Sequence, residues 1–366
     1  MLRDCQMRKI LSSILVVLLL VTLFAGCYRD ADVLVVDGYP IYPGLYLYFQ
    51  LQSISMASQK FDDEFVGKEL YEQTIDGISA RDWIMNKTVE LAQEFVFIEK
   101  SFERLELDES GVEFEMAYYD ATLRSEWSNM SYFYTKNGVG YETFRKAYAN
   151  YLKSNYLFSA LYIAEDGEEE VPEQEIKDEF TENYTYLDYI RINKVDEDGE
   201  LLTETKIQKA RDDINAMKKI AEETVAEEGV LFYYPENIGL QAAFEYYCES
   251  NSLTEDEAAE AKSKNFTEHT IIKTNSTLYD EEFITQLFKA KYDKFVVYED
   301  DETVYLYCRR SMLDFNEDSW KDYRESIIAE LRTDTYLDYL VERSHQLPVS
   351  EKASARRYFN MNKASL

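Results

Sequence analysis

The stretch VPEQEIKDEFTENYTYLDYIRI, residues 171–192, decides how this chain is organised. Pro172 opens a short helix that runs to Phe180, since proline is tolerated in a first helical turn. Tyr186 to Asn193, rich in aromatic and branched side chains, then reads as a strand. Just upstream lies Glu165-Asp166-Gly167-Glu168-Glu169-Glu170, a polar run of the kind that forms a solvated linker. A domain boundary is expected there. Downstream, Asp196-Glu197-Asp198-Gly199 reads as a turn. A helix follows, with Thr205 and Gln208 as a capping box, to about Glu223. Further helical segments fall around Gln241–Cys248 and Glu281–Ala290. Phe295–Tyr298 and Val304–Arg309 read as strands joined by an acidic turn at 299–302. The order of these elements is strand, helices, strand, strand.

Upstream of the linker the pattern is helical. Val33 to Gly38 reads as a short strand closed by a turn, and Pro40 to Gln50 opens a helix. Residues 51–78 are less regular. From Trp83, the residues Ile84, Leu91, Phe95, Ile98, Phe102 and Leu105 recur at helical spacing and form one apolar stripe. A second helix is expected from Val112 to Trp127, and Asn137-Gly138 marks a break. Phe144, Tyr148, Tyr151, Phe158 and Tyr162 make a third stripe. Beyond Arg309, Trp320 to Val341 is a last long helix. The segment from Ser350 carries Lys352, Arg356, Arg357 and Lys363, has little apolar content and is expected to be loose. The 12 glycines and 5 prolines are few for 366 residues, which favours helices over a turn-rich β-sandwich. The fold class is therefore α+β, mostly helical.

The first residues carry a different message. Arg3, Arg8 and Lys9 precede an uncharged apolar run from Ile10 to Phe24, which ends in Leu23-Phe24-Ala25-Gly26-Cys27. Basic start, apolar middle and small residues at the cut are the layout of a secretory signal. The apolar run is short for a membrane span of about 20 residues. Ala-Gly-Cys resembles the lipobox of bacterial lipoproteins, which implies cleavage after residue 26, lipid attachment at Cys27 and an extracytoplasmic chain tethered to the cell membrane. An uncleaved membrane anchor is the alternative.

The net charge of −32 argues against nucleic acid, whose phosphates demand basic patches. Cys248 and Cys308 are the cysteines left outside the first 27 residues; without CxxC spacing they are expected unpaired. No phosphate loop, GxSxG or HExxH occurs. Asp196–Glu200 is an incomplete calcium loop, because no acidic residue closes it at the right distance. His269 reads as a surface residue, and His345 has no second histidine at metal spacing. No metal and no cofactor are called for.

Several segments together resemble the extracytoplasmic foldases of the PrsA and SurA kind. VLVVDGYPIYPGLYLYF (33–49) looks like that family's opening strand, turn and first helix. LELDESGVEFEM (105–116) looks like the opening of a later helix. NGVGYETFRKAYANYLKSNYLFSALY (137–162) looks like the helix that closes the N-terminal chaperone region. The stretch at 171–192 looks like the lead-in helix and first strand of a parvulin-type prolyl isomerase domain. EEFITQLFKAKYDKFVVYEDDETVYLYCRR (281–310) looks like that domain's last helix and final two strands.

The resemblance implies a SurA/trigger-factor-like helical chaperone domain over residues 27–165, an inserted parvulin-like domain over 172–312, a C-terminal helix at 313–345 packing on the first domain, and a flexible tail at 346–366. It also implies the site. Active parvulins carry histidines on the first and last strands; Tyr189 and Tyr305 stand in those places here. The polar position near the middle helix falls at Ser252. The apolar positions that hold a proline ring fall at Phe295 and Tyr298. The implied function is a lipid-anchored chaperone for unfolded or newly exported proteins whose isomerase activity is lost. An active isomerase and a lipoprotein docking one dedicated secreted partner are the alternatives.

Overall fold

A computed structural model of the chain describes residues 33–351, apart from 63, 66, 230–231, 234–235 and 314–315. Cys27, the preceding apolar run and residues 352–366 lie outside the described residues. The fold is α+β and mostly helical. The chain divides into two units, one holding the residues up to Glu170 together with those from Leu331, the other Val171–Glu330.

The first unit opens with β1 (Leu34–Val36) and β2 (Tyr39–Ile41), joined by Asp37-Gly38 at φ +46° and +79°. Both turn residues sit in the left-handed region, the geometry whose twist suits a two-residue hairpin. Lys100 caps the turn, its Nζ donating to the Asp37 carbonyl at 2.6 Å and to the Asp37 carboxylate. Tyr39–Ile41 is thus strand where a helix start was expected. The helix α1 (Pro43–Gln59) begins at Pro43, whose fixed φ suits a first turn, and runs further than the sequence reading allowed. A second hairpin, β3 (Thr74–Ile75) and β4 (Ile78–Ser79), follows the short α2 (Lys68–Tyr71).

The strong stripe is α3 (Ala80–Arg104), its first turn capped by Ser79, which accepts from the Asp82 amide at 3.1 Å. The single helix expected after Asp108 is two, α4 (Glu109–Tyr118) and α5 (Asp120–Lys136), separated at Tyr119. Gly138, at φ +83°, makes the turn into α6 (Tyr141–Phe158). A five-residue π-helix, Ser159–Ile163, ends that run. One core joins β1, β2, α1 and α3 through Leu34, Val36, Ile41, Phe49, Phe95 and Val96. Another joins α1, α3, α4 and α6 through Leu51, Phe102, Val112 and Phe144. The segment from Ser350 is not wholly loose. β11 (Val349–Glu351) pairs antiparallel with β1, so Leu34 lies opposite both Ile41 and Glu351.

The second unit begins with α7 (Glu173–Asn183) and passes directly into β5 (Tyr184–Asn193). Three helices follow, α8 (Glu204–Glu228), α9 (Ile238–Ser250) and α10 (Glu255–Asn265). The short strands β6 (Phe232–Tyr233) and β7 (Glu236–Asn237) lie between the first two. Thr203 is the N-cap residue of α8, so Thr205 and Gln208 lie inside the helix instead of capping it. A true capping box occurs at Thr254 and Glu257 on α10. Then come β8 (Phe266–Lys273), α11 (Glu281–Lys289), β9 (Phe295–Glu299) and β10 (Thr303–Arg310). The sheet is antiparallel in the order β8-β5-β10-β9. β8 is a strand that the sequence reading missed. A short 3-10 turn, Ser319–Tyr323, opens the helix expected from Trp320 and leads into α12 (Arg324–Ser344), whose residues from Leu331 belong to the first unit.

Strand alternation sorts this sheet's side chains onto two faces. Ile190, Val304, Leu306, Cys308 and Phe295 face α8 and α9. Leu187, Tyr189, Tyr305, Tyr307 and Tyr298 face α11 through Phe283, Ile284 and Leu287. Cys248 and Cys308 are both free thiols; burial pushes Cys308 far up, which disfavours the reactive thiolate.

Candidate functional site

The tyrosine face of the second unit brings three of the sequence-singled residues together. Tyr189 on β5 meets Tyr305 on β10 edge to face, ring centroids 5.8 Å apart. Tyr298 on β9 lies 6.2 Å from Tyr305. Phe283 of α11 closes the cluster, 5.0 Å from Tyr298 and 5.1 Å from Tyr305, and Tyr279 adds a ring 6.2 Å from Tyr189. Burial raises the phenols of Tyr305 and Tyr298, so they stay protonated and act as ring surfaces and O–H donors. The Tyr298 hydroxyl donates to Asp280 Oδ2 at 3.1 Å. Asp280 also caps α11, accepting from the Glu282 and Phe283 amides at 2.8 and 3.0 Å.

Two other residues do not join this group. Phe295 points to the opposite face, against the Gly239 backbone; a Cβ there would stand 2.4 Å from the Phe295 ring. Phe295 therefore belongs to the core under α9, and Gly239 is required by that close approach. Ser252 sits exposed in the turn after α9 at φ +52°.

The rim of the tyrosine face is an open cleft of about 1030 Å³. Tyr298 and Tyr305 meet Arg191, Asp280, Glu282 and the acidic turn 299–302 there. Glu299 is paired on two sides, with Arg211 Nη2 and Lys194 Nζ each 2.8 Å from Oε1. The Arg211 bonds first, then desolvation against the Lys194 bond, leave its carboxyl at about 2, below its ordinary 4.5. A depressed carboxylate stabilises the fold above its ordinary value and loses that contribution as pH falls through the folded value. Arg211→Gln should therefore raise the midpoint of acid unfolding of residues 171–330 within the window between about 4.5 and 2. An unchanged midpoint, followed by circular dichroism, would show that the pair contributes nothing.

Behind the sheet lies a polar cluster that the sequence reading did not assemble. Asp188 and Arg310 are fully buried and paired at 2.7 Å. The other Asp188 oxygen accepts the backbone amide of His269 at 2.7 Å, and Asn237 Nδ2 donates to Asp188 at 3.0 Å. His269 stands at φ +59° where the β5–β8 register slips between Leu187 and Tyr189. The carboxylate thus caps a β-bulge whose amide has left the ladder. Arg310 Nη1 lies 3.2 Å from His269 Nε2, so the imidazole accepts that bond. His269 is a half-buried member of this cluster, not the surface residue expected. Glu268 accepts from the Asn237 amide at 2.8 Å and from Gln241 Nε2 at 3.0 Å, and burial raises its carboxyl. Polar residues inside strands are the signal that was available, but the diagonal pairing depends on register.

The first unit carries a different surface. Phe114 and Tyr118 stand one turn apart on α4, each 72% exposed, and Tyr151 on α6 is 58% exposed. Tyr118, Tyr119, Tyr148 and Tyr151 form a ladder with successive ring separations of 4.9, 6.4 and 5.9 Å. Beside it runs a groove of about 800 Å³ between α4 and α6, floored by Val112, Met116, Ala117 and Ala149 and edged by Glu109, Glu113 and Arg145. Single exposed apolar residues are ordinary, whereas a contiguous exposed aromatic patch marks an interaction site.

Among the described residues no group of His, Cys, Asp or Glu is arranged to hold a metal ion, and no helix is long and apolar enough to cross a membrane.

No protein-family profile matches the sequence, and no curated protein matches it. Solved structures do. The foldase protein PrsA of Lactococcus lactis aligns over 92% of this chain and 100% of its own, at 11% identity and a TM-score of 0.32. PrsA of Streptococcus pneumoniae aligns over 79% of this chain and 98% of its own, at 16% identity and a TM-score of 0.31. A SurA-like chaperone of Campylobacter jejuni aligns over 88% of this chain and 100% of its own, at 12% identity and a TM-score of 0.23. PrsA foldases and SurA-like chaperones are thus what this chain is similar to, and they are the kind its segments resemble.

Proposed function

We propose that the chain is an extracytoplasmic chaperone, lipid-anchored at Cys27, that holds unfolded segments of newly exported proteins and does not catalyse prolyl isomerisation. The observation that carries this reading is the exposed aromatic ladder of the first unit. Apolar contact is non-directional and tolerates any client sequence, while tyrosine offers a flat ring and a hydroxyl that stays wet. The test is refolding of a chemically unfolded enzyme followed by light scattering. The chain without residues 1–27 should suppress aggregation at near-equal molar ratio. Absence of suppression would favour a dedicated partner, recognised by one stoichiometric companion in a pull-down.

The tyrosine face of the second unit supports loss of isomerase activity. Tyr189 and Tyr305 replace the imidazoles that the resemblance implies, and His269 belongs to the cluster on the other face. The expected result is no acceleration of cis–trans exchange in a short proline peptide, whose uncatalysed rate is slow, with time constants of about tens of seconds or more. Catalysed exchange, abolished by Tyr305→Ala, would restore the isomerase reading.

A further inference from the structure

We propose that the α4–α6 surface selects client segments that join apolar residues to lysine or arginine, and discriminates against acidic ones. The inference rests on the holdase reading and narrows its clients to one chemistry. The groove between α4 and α6 is apolar on its floor and anionic along its edge. Glu109 and Glu113 lie one turn apart on α4 and border the floor made by Val112 and Met116. Asp120 and Glu142 line the same groove. Glu113 is exposed and makes no ion pair among the described residues.

The nearby cations are already engaged elsewhere. Lys146 lies over the Tyr39 ring at 5.3 Å, and Arg145 stands 3.7 Å from Glu142. Lys153 lies over Phe102 at 5.1 Å and 3.2 Å from Glu109. Arg124 lies over Tyr141 at 5.3 Å and donates to Asp120 at 2.8 Å. Among the described residues no cation covers a ring of the ladder Tyr118, Tyr119, Tyr148 and Tyr151. Carboxylates do approach it. Burial raises the Tyr148 phenol most, then Tyr119 and Tyr151, then the charges of Glu126 and Glu115, which places both carboxylates within electrostatic reach of the ladder. Glu115 also accepts the Tyr156 hydroxyl at 2.9 Å. A cationic side chain laid on the ladder would thus meet electron-rich ring faces and carboxylates together. An anionic one would be repelled by both. Apolar neighbours in the same segment would fill the groove, and the net charge of −32 adds long-range attraction for a basic segment.

The test uses the chain without residues 1–27, which removes no described residue, and three labelled peptides of one length. Leucine and valine occupy the same positions in each; the other positions are lysine, glutamine or glutamate. Fluorescence anisotropy at low salt should rank them in that order. An exposed ring–cation contact favours binding by about two- to fivefold, so two of them separate lysine from glutamine by about tenfold. Like-charge approach should set glutamate below glutamine, and the spread should shrink as salt rises. E113Q/E115Q/E126Q should narrow the lysine-to-glutamate ratio by about tenfold and leave the glutamine peptide unchanged, since glutamine keeps the acceptor that Tyr156 uses. F114A/Y118A/Y151A should weaken all three peptides, with circular dichroism showing both variants folded. Equal affinities, a preference for glutamate, or a lysine preference unchanged in E113Q/E115Q/E126Q would overturn the charge selection and leave the holdase reading standing. Binding of none of the peptides would overturn it too, and suppression of aggregation in the refolding assay would then decide the holdase reading separately.

Discussion

Replacing Phe114, Tyr118 and Tyr151 together with alanine should abolish suppression of aggregation and leave the fold intact. Each of these rings exposes most of its surface, so each can be covered by a client without first being freed from a core. Covering about half of a ring's area contributes on the order of 2 kcal/mol. Three such losses weaken a shared client contact by more than a hundredfold, enough to end suppression at near-equal molar ratio. The cost to the fold is small, since surface substitutions usually stay within about 0.5 kcal/mol and alanine is a good helix former. Tyr119 and Tyr148 are left in place because they are more buried within the ladder. The control is Tyr246→Ala with Leu278→Ala, two exposed apolar residues of the second unit that lie outside the ladder. Loss of suppression in the triple variant but not in the control would locate the client surface on α4 and α6. Equal suppression by wild type and triple variant would sink the assignment.

Much of this arrangement is legible in the sequence because its periods are long and clean. The stripe from Ile84 to Phe102 needs only a 3.6-residue repeat, and it is α3. Phe295–Tyr298 and Val304–Arg309 are short runs of aromatic and aliphatic residues bounded by an acidic turn, and they are β9 and β10. The chain could not announce β8 in the same way. Its bulge at Glu268-His269 breaks the period of two, and most of its residues are half-buried, so inward and outward positions differ little in chemistry. β2 is hidden by Pro40, which reads as a helix opener but sits on the edge strand of the sheet β11-β1-β2, where a missing amide is tolerated. β11 is only Val349-Ser350-Glu351, too short and polar to signal a strand without its partner.

The candidate site divides along the same line. Tyr189, Tyr298 and Tyr305 fall on one face because each lies at the same parity of its strand, which a sequence shows once the strands are known. Phe295 was misplaced for the matching reason: it is three residues before Tyr298, an odd step, and an odd step changes face. The exposed ladder was not legible at all. Tyr118, Tyr148 and Tyr151 have the same composition as the buried aromatic stripes, and exposure depends on which neighbour a helix happens to meet.

The Asp188–Arg310 pair gives the largest expected effect on stability. Asp188→Asn keeps the shape and most hydrogen-bonding atoms but removes the charge. Arg310 would then be a cation with no exposed surface that has lost its ion pair with Asp188, beside an imidazole that already accepts from it. Removing one member of a buried pair costs about 3–5 kcal/mol, because the other charge has been desolvated without compensation. That is a large fraction of the total stability of a domain of this size, about 5–15 kcal/mol. The amide also meets the His269 backbone amide with a donor or a weaker acceptor, so the bulge at φ +59° loses its cap. Urea unfolding should therefore show an early transition for the second unit, with the first unit's transition in place. Arg310→Met should be comparably damaging, since it leaves the carboxylate buried and unpaired. The double variant should be less damaging than the sum of the two, by more than about 1 kcal/mol of coupling. Full recovery is not expected, because Asp188 still serves His269 and Asn237. A loss below about 1 kcal/mol for Asp188→Asn would mean that water reaches the pair when the fold relaxes, and that the bulge holds its shape through the strands alone.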